Sequence, residues 1–564
     1  MHIELRDQGF DPWAEIAVFR DRMLSAGQYG ACAVFVGTMR DYNEGDRVRS
    51  MYLEHYPGMT EKQLESLVSA SCETNNLMEA LVVHRVGSVK PGEDIVLNAG
   101  SIAIHPILDR IETMIDMTSA MNQPTERPAG FQGYVHQSQA REDEELTHVD
   151  HGTSCGEYLR RFWQPVAMSS ELGELPLVVK ILGEELVLFR DKSNSVGLLH
   201  KHCAHRGASL EYGIIAERGI ICCYHGWHYD VDGTLIRAGS ERLDSPICKN
   251  VVQGAYPVTE KDGILFTYMG PPDKRPDFPE YDTQHLPGVE RIPFSLTTPC
   301  NWLQVYENTQ DPIHVLHLHT RSSGVQFGVA SGVNQIIEYE TSPTGMINIQ
   351  TRQVEEYTWV RTVEAILPNA NQTGAIWEEA EAEKYFQRTA ILRWMVPIDN
   401  FSTRTIGWRY YSSETDPRDQ GDRSLVGKES IDFVGQTEDE RSYHERQQQP
   451  GDFEAQVSQR PIAIHARENL ASSDSGVARL RQLLRGHVRN VAKGNDPPQP
   501  PRGYKGWVST YTQDTVYPIT LDALQRQEFG RAVADTVLET GDLNHENRTR
   551  SVKKRCKKYV PPTS

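Results

Sequence analysis

Two short segments bring cysteine and histidine together: Cys203-Ala-His205 and, after sixteen residues, Cys222-Cys-Tyr-His225. Each offers one thiolate and one imidazole, and four such ligands suit a tetrahedral zinc or an iron–sulfur cluster. Structural zinc sites more often keep like ligands together. Here Cys and His alternate, which suits two different irons, both thiolates on one and both imidazoles on the other. A glycine follows each histidine region (Gly207, Gly226), letting the backbone fold tightly and aim N–H groups at sulfide.

A second cluster lies downstream in "PCNWLQVYENTQDPIHVLHLHT", where Glu307, Asp311, His314, His317 and His319 fall within thirteen residues. Two imidazoles plus a distant carboxylate make a facial set that leaves three positions on Fe(II) open, and such open positions suit O2 chemistry. Many later carboxylates could complete the set, so spacing alone does not choose among them.

The elements around these residues differ along the chain. Residues 1–100 combine helical runs with apolar strands such as "GACAVFVGTMR" and "MEALVVHRVG"; a helix-like run and a polar linker occupy 101–150. From 151, "LVVKILGEELVLFRD", "VGLLHKHCAHRG" and "GIICCYHGWHYDVDGT" give an all-β pattern. From about 290 strands mix with helices, a Pro-rich passage follows 492, and 516–564 reads as an extension ending in a solvated basic tail.

The 564 residues imply several domains. No apolar run approaches the roughly 20 residues of a membrane helix, and no secretory signal is visible at the N-terminus. The net charge of −19 argues against nucleic-acid and anionic-membrane partners. Nine scattered cysteines form no disulfide framework; reduced thiols in a cytoplasmic protein are expected, with Cys/His clusters as metal sites.

From about 152 to 515 the chain resembles the oxygenase component of Rieske non-haem iron oxygenases, chiefly the phthalate dioxygenase and O-demethylase branch. "GEYLRRFWQPVAMSSEL", "ILGEELVLFRD", "CAHRGASLEYG" and "YHGWHYDVDGT" carry the likeness together with the two metal motifs. It implies an α+β chain: a Rieske β-sandwich domain over 151–275 and a helix-grip catalytic domain over 276–515, an antiparallel sheet around a long helix. It implies a Rieske [2Fe–2S] cluster on Cys203, His205, Cys222 and His225, with Cys223 in a slot usually held by proline and not a ligand. Ala204 likewise stands where the family usually has proline.

The same resemblance implies a mononuclear Fe(II) on His314 and His319, with His317 a packing or outer residue. It places the third ligand at Asp474, in "QRPIAIHARENLASSDSGVARLRQLL", with Asp452 and Glu468 as the competing carboxylates. Asp311 is the expected catalytic carboxylate, bridging His225 of one subunit to His314 of the next in a homotrimer or trimer-based oligomer. No flavin or nicotinamide fingerprint occurs, so a separate flavin/iron–sulfur reductase is the expected partner. The implied enzyme is an oxidoreductase using O2 for ring dihydroxylation of an aromatic molecule, or alternatively for O-demethylation of a methoxy-aromatic acid. Its pocket should be lined from the strands between about 325 and 410, where arginines could hold a substrate carboxylate.

Residues 28–100 resemble something unrelated, the large subunit of molybdopterin synthase, through "GACAVFVGTMRDYNEGDRV", "YLEHYPGMTEKQLESLV" and "VVHRVGSVKPGEDIV". Arg40 falls on an arginine of that family's active-site region. The family's later lysines have no counterpart, because no lysine occurs between Lys90 and Lys180. Without an amine the sulfur-transfer chemistry lacks its nucleophile. The segment is therefore expected to be a truncated α/β sandwich-like remnant, and molybdopterin synthesis a distant alternative for the chain.

Overall fold

A computed structural model of the chain describes residues 2–23, 31–39, 42–43, 46–47, 51–53, 64, 68–69, 72, 79–102, 141–242, 245–438, 441–498 and 506–559. Arg40 and the helix-like run at 107–121 lie outside the described residues. The chain divides into two compact units, Met1–Ser138 and Gln139–Ser564.

In the first unit, strand His2–Arg6 runs parallel to Glu79–Arg85, which pairs antiparallel with Asp94–Ile102, itself paired with Ala31–Thr38. The helix Pro12–Met23 covers this sheet, burying Ile16 and Phe19 against Leu81, Val83 and Leu97.

The second unit begins earlier than the linker reading expected. Glu144–Thr147 is a short helix whose neighbours anchor it: Arg485 donates to Asp143 at 2.6 Å and Arg489 to Glu145 at 2.7 Å. Three small antiparallel sheets follow. Leu177–Ile181, Glu184–Arg190, Val196–His200 and Ala255–Tyr256 form one, and Val258–Lys261, Ile264–Tyr268 and Trp163–Met168 another. The third, Ile214–Ile215, Ile220–Ile221, Trp227–Tyr229 and Leu235–Ala238, carries one of the two Cys/His loops.

A large antiparallel sheet makes up most of the remainder, in the order Glu290–Thr298, Ser402–Tyr411, Ile391–Asp399, Ala370–Thr373, Tyr357–Ile366, Gly345–Val354, Ile336–Ser342. Alternation along Gly345–Val354 sorts its two faces. Met346 packs with Leu480, Leu484 and Val488 of the long helix Ser475–Ala492, whose apolar positions recur at i, i+4 and i+8. Ile347 and Ile349 point the other way, into a core with Phe529, Val533 and Val552. That second core overturns the expected C-terminal extension. Strand Gln513–Tyr517 pairs with Tyr357–Ile366, and helices Ala523–Glu539 and His545–Lys557 pack with the sheet. The basic end is thus one face of a helix whose Val552 and Cys556 are fully buried; residues 560–564 lie outside the described part. Among the described residues no helix is long and apolar enough to cross a membrane.

Candidate metal centres

The first Cys/His loop leaves strand Val196–His200 and folds back on itself. Cys203 N–H donates to Ala208 O at 2.9 Å and Gly207 N–H returns to Cys203 O at 2.9 Å. The second loop repeats the device: Cys222 N–H donates to Trp227 O at 2.7 Å and Gly226 N–H to Cys222 O at 3.0 Å. Both turns need glycine at positive φ, +77° at Gly207 and +69° at Gly226. The loops bring the His205 and His225 rings to 4.5 Å, with His205 stacked on Trp227.

Cys203 and Cys222 are buried and Cys223 is exposed. Burial raises the Cys203 thiol, and the adjoining Cys222 sulfur adds to that. Tyr229 Oη lies 3.0 Å from Cys203 Sγ and can donate to a thiolate there. His205 Nδ1 is buried with no hydrogen-bond partner, a costly state unless a ligand uses its lone pair. Two buried thiols, two facing imidazoles and an orphaned ring nitrogen fit a [2Fe–2S] cluster with mixed ligation.

The second centre is built from helix ends. Asn301 caps the helix Trp302–Glu307 through Leu303 N–H, while its amide donates to Thr147 O at 2.9 Å and Trp302 Nε1 to Leu146 O at 3.0 Å. Gln304 reaches across to the carbonyls of Gln456 and Arg460, both at 3.1 Å. Those bonds hold the short helix Asp452–Val457 beside the histidine segment.

Five residues advance about 500° on an α-helix, which would leave His314 and His319 roughly 140° apart. The helix Pro312–His317 instead passes into a π-helical turn over Leu318–Ser322, whose i→i+5 bonding returns the second histidine toward the first. Ligand atoms of His314, His319 and Asp452 all lie within 4.8 Å of one another. His319 Nε2 is 3.2 Å and His314 Nε2 3.6 Å from Asp452 Oδ1. Each ring is held from behind: His314 Nδ1 meets the Asp311 carbonyl, and His319 Nδ1 lies 2.6 Å from Gln326 Oε1. Burial alone would raise the Asp452 carboxyl, but His319, His314 and Gln436 hold it far below the carboxylate range. Gln436 Nε2 donates to Asp452 Oδ2 at 2.6 Å. Two imidazoles and an ionised carboxylate on one side of a cavity suit a facial iron site.

The structure brings Asp452, and not the expected Asp474, to the two histidines. Asp474 does not approach the histidines; its Oδ2 accepts from Ala471 N–H at 2.6 Å, closing the turn before the long helix. Glu468 is paired with Arg481. Asp452 takes the place because Gly435 (φ +81°) and Gly451 cross so closely that a Cβ on Gly451 would sit 2.3 Å from Gly435 Cα. That crossing sets Gln436 against Asp452. His317 is exposed rather than packed. Asp311 Oδ1 accepts from Ile313 N–H at 3.2 Å, with Oδ2 4.0 Å from His314 Nδ1.

Beside His314, His319 and Asp452 lies a cavity of about 100 Å³. Phe327, Ile376, Ile391 and Phe433 give it an apolar side; Gln350, Arg352, Arg361 and Arg393 give it a polar one. Gln350, Arg352, Arg361, Ile391 and Arg393 come from strands of the stretch in which the sequence placed the pocket, whereas Phe327 and Ile376 lie in its loops and Phe433 lies beyond it.

Residues 162–245 match the Rieske [2Fe-2S] domain family and residues 11–105 the MoaE protein family. The chain is 45% identical to the oxygenase subunit of the tert-butanol monooxygenase / tert-amyl alcohol desaturase of Aquincola tertiaricarbonis, over 64% of this chain and 78% of that protein. It is 36% identical to the phenoxybenzoate dioxygenase subunit alpha of Ectopseudomonas oleovorans, over 63% and 87%. Its N-terminal segment is 48% identical to the molybdopterin synthase catalytic subunit of Ralstonia nicotianae, covering 17% of this chain and about half (53%) of that protein. The cofactors are a Rieske [2Fe–2S] cluster and a mononuclear iron, and the enzyme is an oxidoreductase acting with O2. The chain belongs to the Rieske oxygenases, as an oxygenase subunit preceded by a partial MoaE-like segment.

Proposed function

We propose that this subunit hydroxylates an aromatic ring, taking electrons originating from NAD(P)H through a separate flavin/iron–sulfur reductase. The observation that carries the reading is the convergence of His314, His319 and Asp452 beside a cavity with Phe327 and Phe433 in its wall. In this reading Cys203 and Cys222 hold one iron of the cluster, His205 and His225 the other, and His314, His319 and Asp452 the mononuclear iron. When bound, the cluster supplies single electrons and the iron a site for O2.

The chain's own residues position these groups. The Asp311 carbonyl and Gln326 fix the two ring orientations, and Gln436 fixes the carboxylate. Asp311 is about 30% exposed at its side chain, leaving Oδ2 available to His225 of a neighbouring subunit in a trimer. The N-terminal segment is proposed to be inert, since its stretch of chain brings no lysine beyond Lys90.

The test uses the full chain with a surrogate reductase, NADH and a panel of aromatic acids and methoxy-aromatics, reading O2 uptake and product mass. Asp311→Asn should keep both metals and lose turnover. A protein with both centres loaded that oxidises no member of the panel would overturn the reading. A second reading, monooxygenation including O-demethylation, is favoured by the 45% identical relative named a monooxygenase; from 18O2, one labelled oxygen in a hydroxylated product, or an unlabelled phenol released with formaldehyde, would select it over two labelled oxygens.

A further inference from the structure

We infer that Arg352 and Arg393 form a carboxylate-binding subsite in the cavity, so that the aromatic substrate is an acid. This rests on the oxygenase reading above and adds the group by which the substrate is held.

The charged residues lining the cavity are Asp311, Asp452, Arg352, Arg361 and Arg393. Asp452 is engaged by His314, His319 and Gln436. Arg361 is neutralised by the fully buried Asp514, with Nε 2.7 Å from Oδ1 and Nη2 3.0 Å from Oδ2. Arg352 and Arg393 make no ion pair among the described residues. Arg352 is 1% exposed and its Nε and Nη1 have no hydrogen-bond partner; Arg393 Nε is buried and equally unpartnered. Asp452 acts on Arg393 and Asp514 on Arg352 without a direct ion pair to either; buried guanidinium N–H groups left without an acceptor are costly, so two such groups facing one small cavity mark a place for an anion.

Arg352 is also held rather than loose. Its Nη2 donates to Gln350 Oε1 at 2.8 Å, and Gln350 Nε2 donates to Asn348 Oδ1 at 2.8 Å, a ladder along alternate residues of one strand. Its guanidinium lies over the Trp359 ring, 4.7 Å from the centroid, with Arg361 at the same distance. Its Nε and Nη1 N–H groups have no acceptor and are left to donate to a charged oxygen. Burial, with the nearby Arg361 adding to it, pushes the Arg352 group down to about 9, the direction expected of a cation lacking its partner. Phe327 and Phe433, lining the same cavity as the three ligands, offer a seat for the ring.

The experiment titrates the metal-loaded full chain with benzoate and with benzamide, a neutral probe of the same shape, by calorimetry. Benzoate should bind at least about tenfold more tightly, in line with charge-assisted hydrogen bonds from a buried guanidinium. Arg352→Met should remove that preference by weakening benzoate far more than benzamide, and Arg352→Lys should retain it only in part. Should Arg352→Met fail to fold, Arg393→Gln provides the same comparison. Equal binding of the two probes to the wild type, or a preference that survives the substitutions, overturns the subsite. Oxidation of neutral aromatics with no preference for acids also sinks the subsite but leaves the oxygenase reading intact. Selective benzoate binding without any oxidation would do the reverse.

Discussion

His319 Nδ1 and Gln326 Oε1 stand 2.6 Å apart, and this contact decides which nitrogen of the ring faces Asp452. An amide oxygen can only accept, so the Nδ1 proton donates to it and the Nε2 lone pair is left for a metal. Gln326→Leu removes the acceptor at similar volume. It should weaken iron binding about 10- to 100-fold, the usual consequence of losing a partner behind a ligating imidazole. Iron affinity by competition with a chelator checks this, while cluster absorbance stays unchanged.

Asp452 and Asp474 separate the chemistry of the centre from the architecture beside it. Asp452→Ala should abolish binding of the mononuclear iron while leaving the cluster intact. Asp474→Ala should retain the iron and cost only about 1 kcal/mol, through loss of the turn at Ala471. Iron loss in the second variant and not the first would reverse the assignment.

Why sequence favours Asp474 over Asp452 follows from how each residue is placed. The cluster ligands, His314 and His319 sit in short local segments, so residue type and spacing expose them. The all-β stretch, the long helix and the pocket strands are legible for the same reason, since their periodicity is local. The third ligand comes from 133 residues beyond His319 and is positioned by the Gly435–Gly451 crossing, which leaves no spacing rule to read. The His-x4-His pair also needs a π turn that residue pattern does not announce. The terminal basic stretch misleads because Val552 and Cys556 are few among many charges; only the second apolar face of Gly345–Val354, with Ile347 and Ile349, shows where they go.

Ala204 offers a prediction from an apparent irregularity. Its backbone N–H donates to Gln253 Oε1 at 2.7 Å, and Gln253, buried to 3% exposure, donates in turn to the carbonyls of His200 and His202. Proline at this position has no N–H to give. Ala204→Pro should therefore destabilise the cluster domain by about 1–3 kcal/mol, the cost of a buried acceptor left unpaired, whereas Ala204→Ser keeps the bond and should be nearly neutral. Thermal melts followed at the cluster absorbance distinguish the two.

The last prediction concerns pH. Glu364 is fully buried between Ser342, Thr344 and the Tyr511 N–H, with no ion pair among the described residues. Burial raises its carboxyl from 4.5 to about 7. A carboxyl whose folded pKa lies above its unfolded value favours folding when protonated. Its contribution is complete below about pH 4.5 and is lost as pH rises through 7, amounting to about 3 kcal/mol for a shift of this size. Glu364→Gln keeps the shape without the ionisation, so its stability should fall less between pH 5 and 8 than that of the wild type. Denaturant midpoints across that range measure the difference, and parallel curves for the two proteins would show that Glu364 does not titrate there.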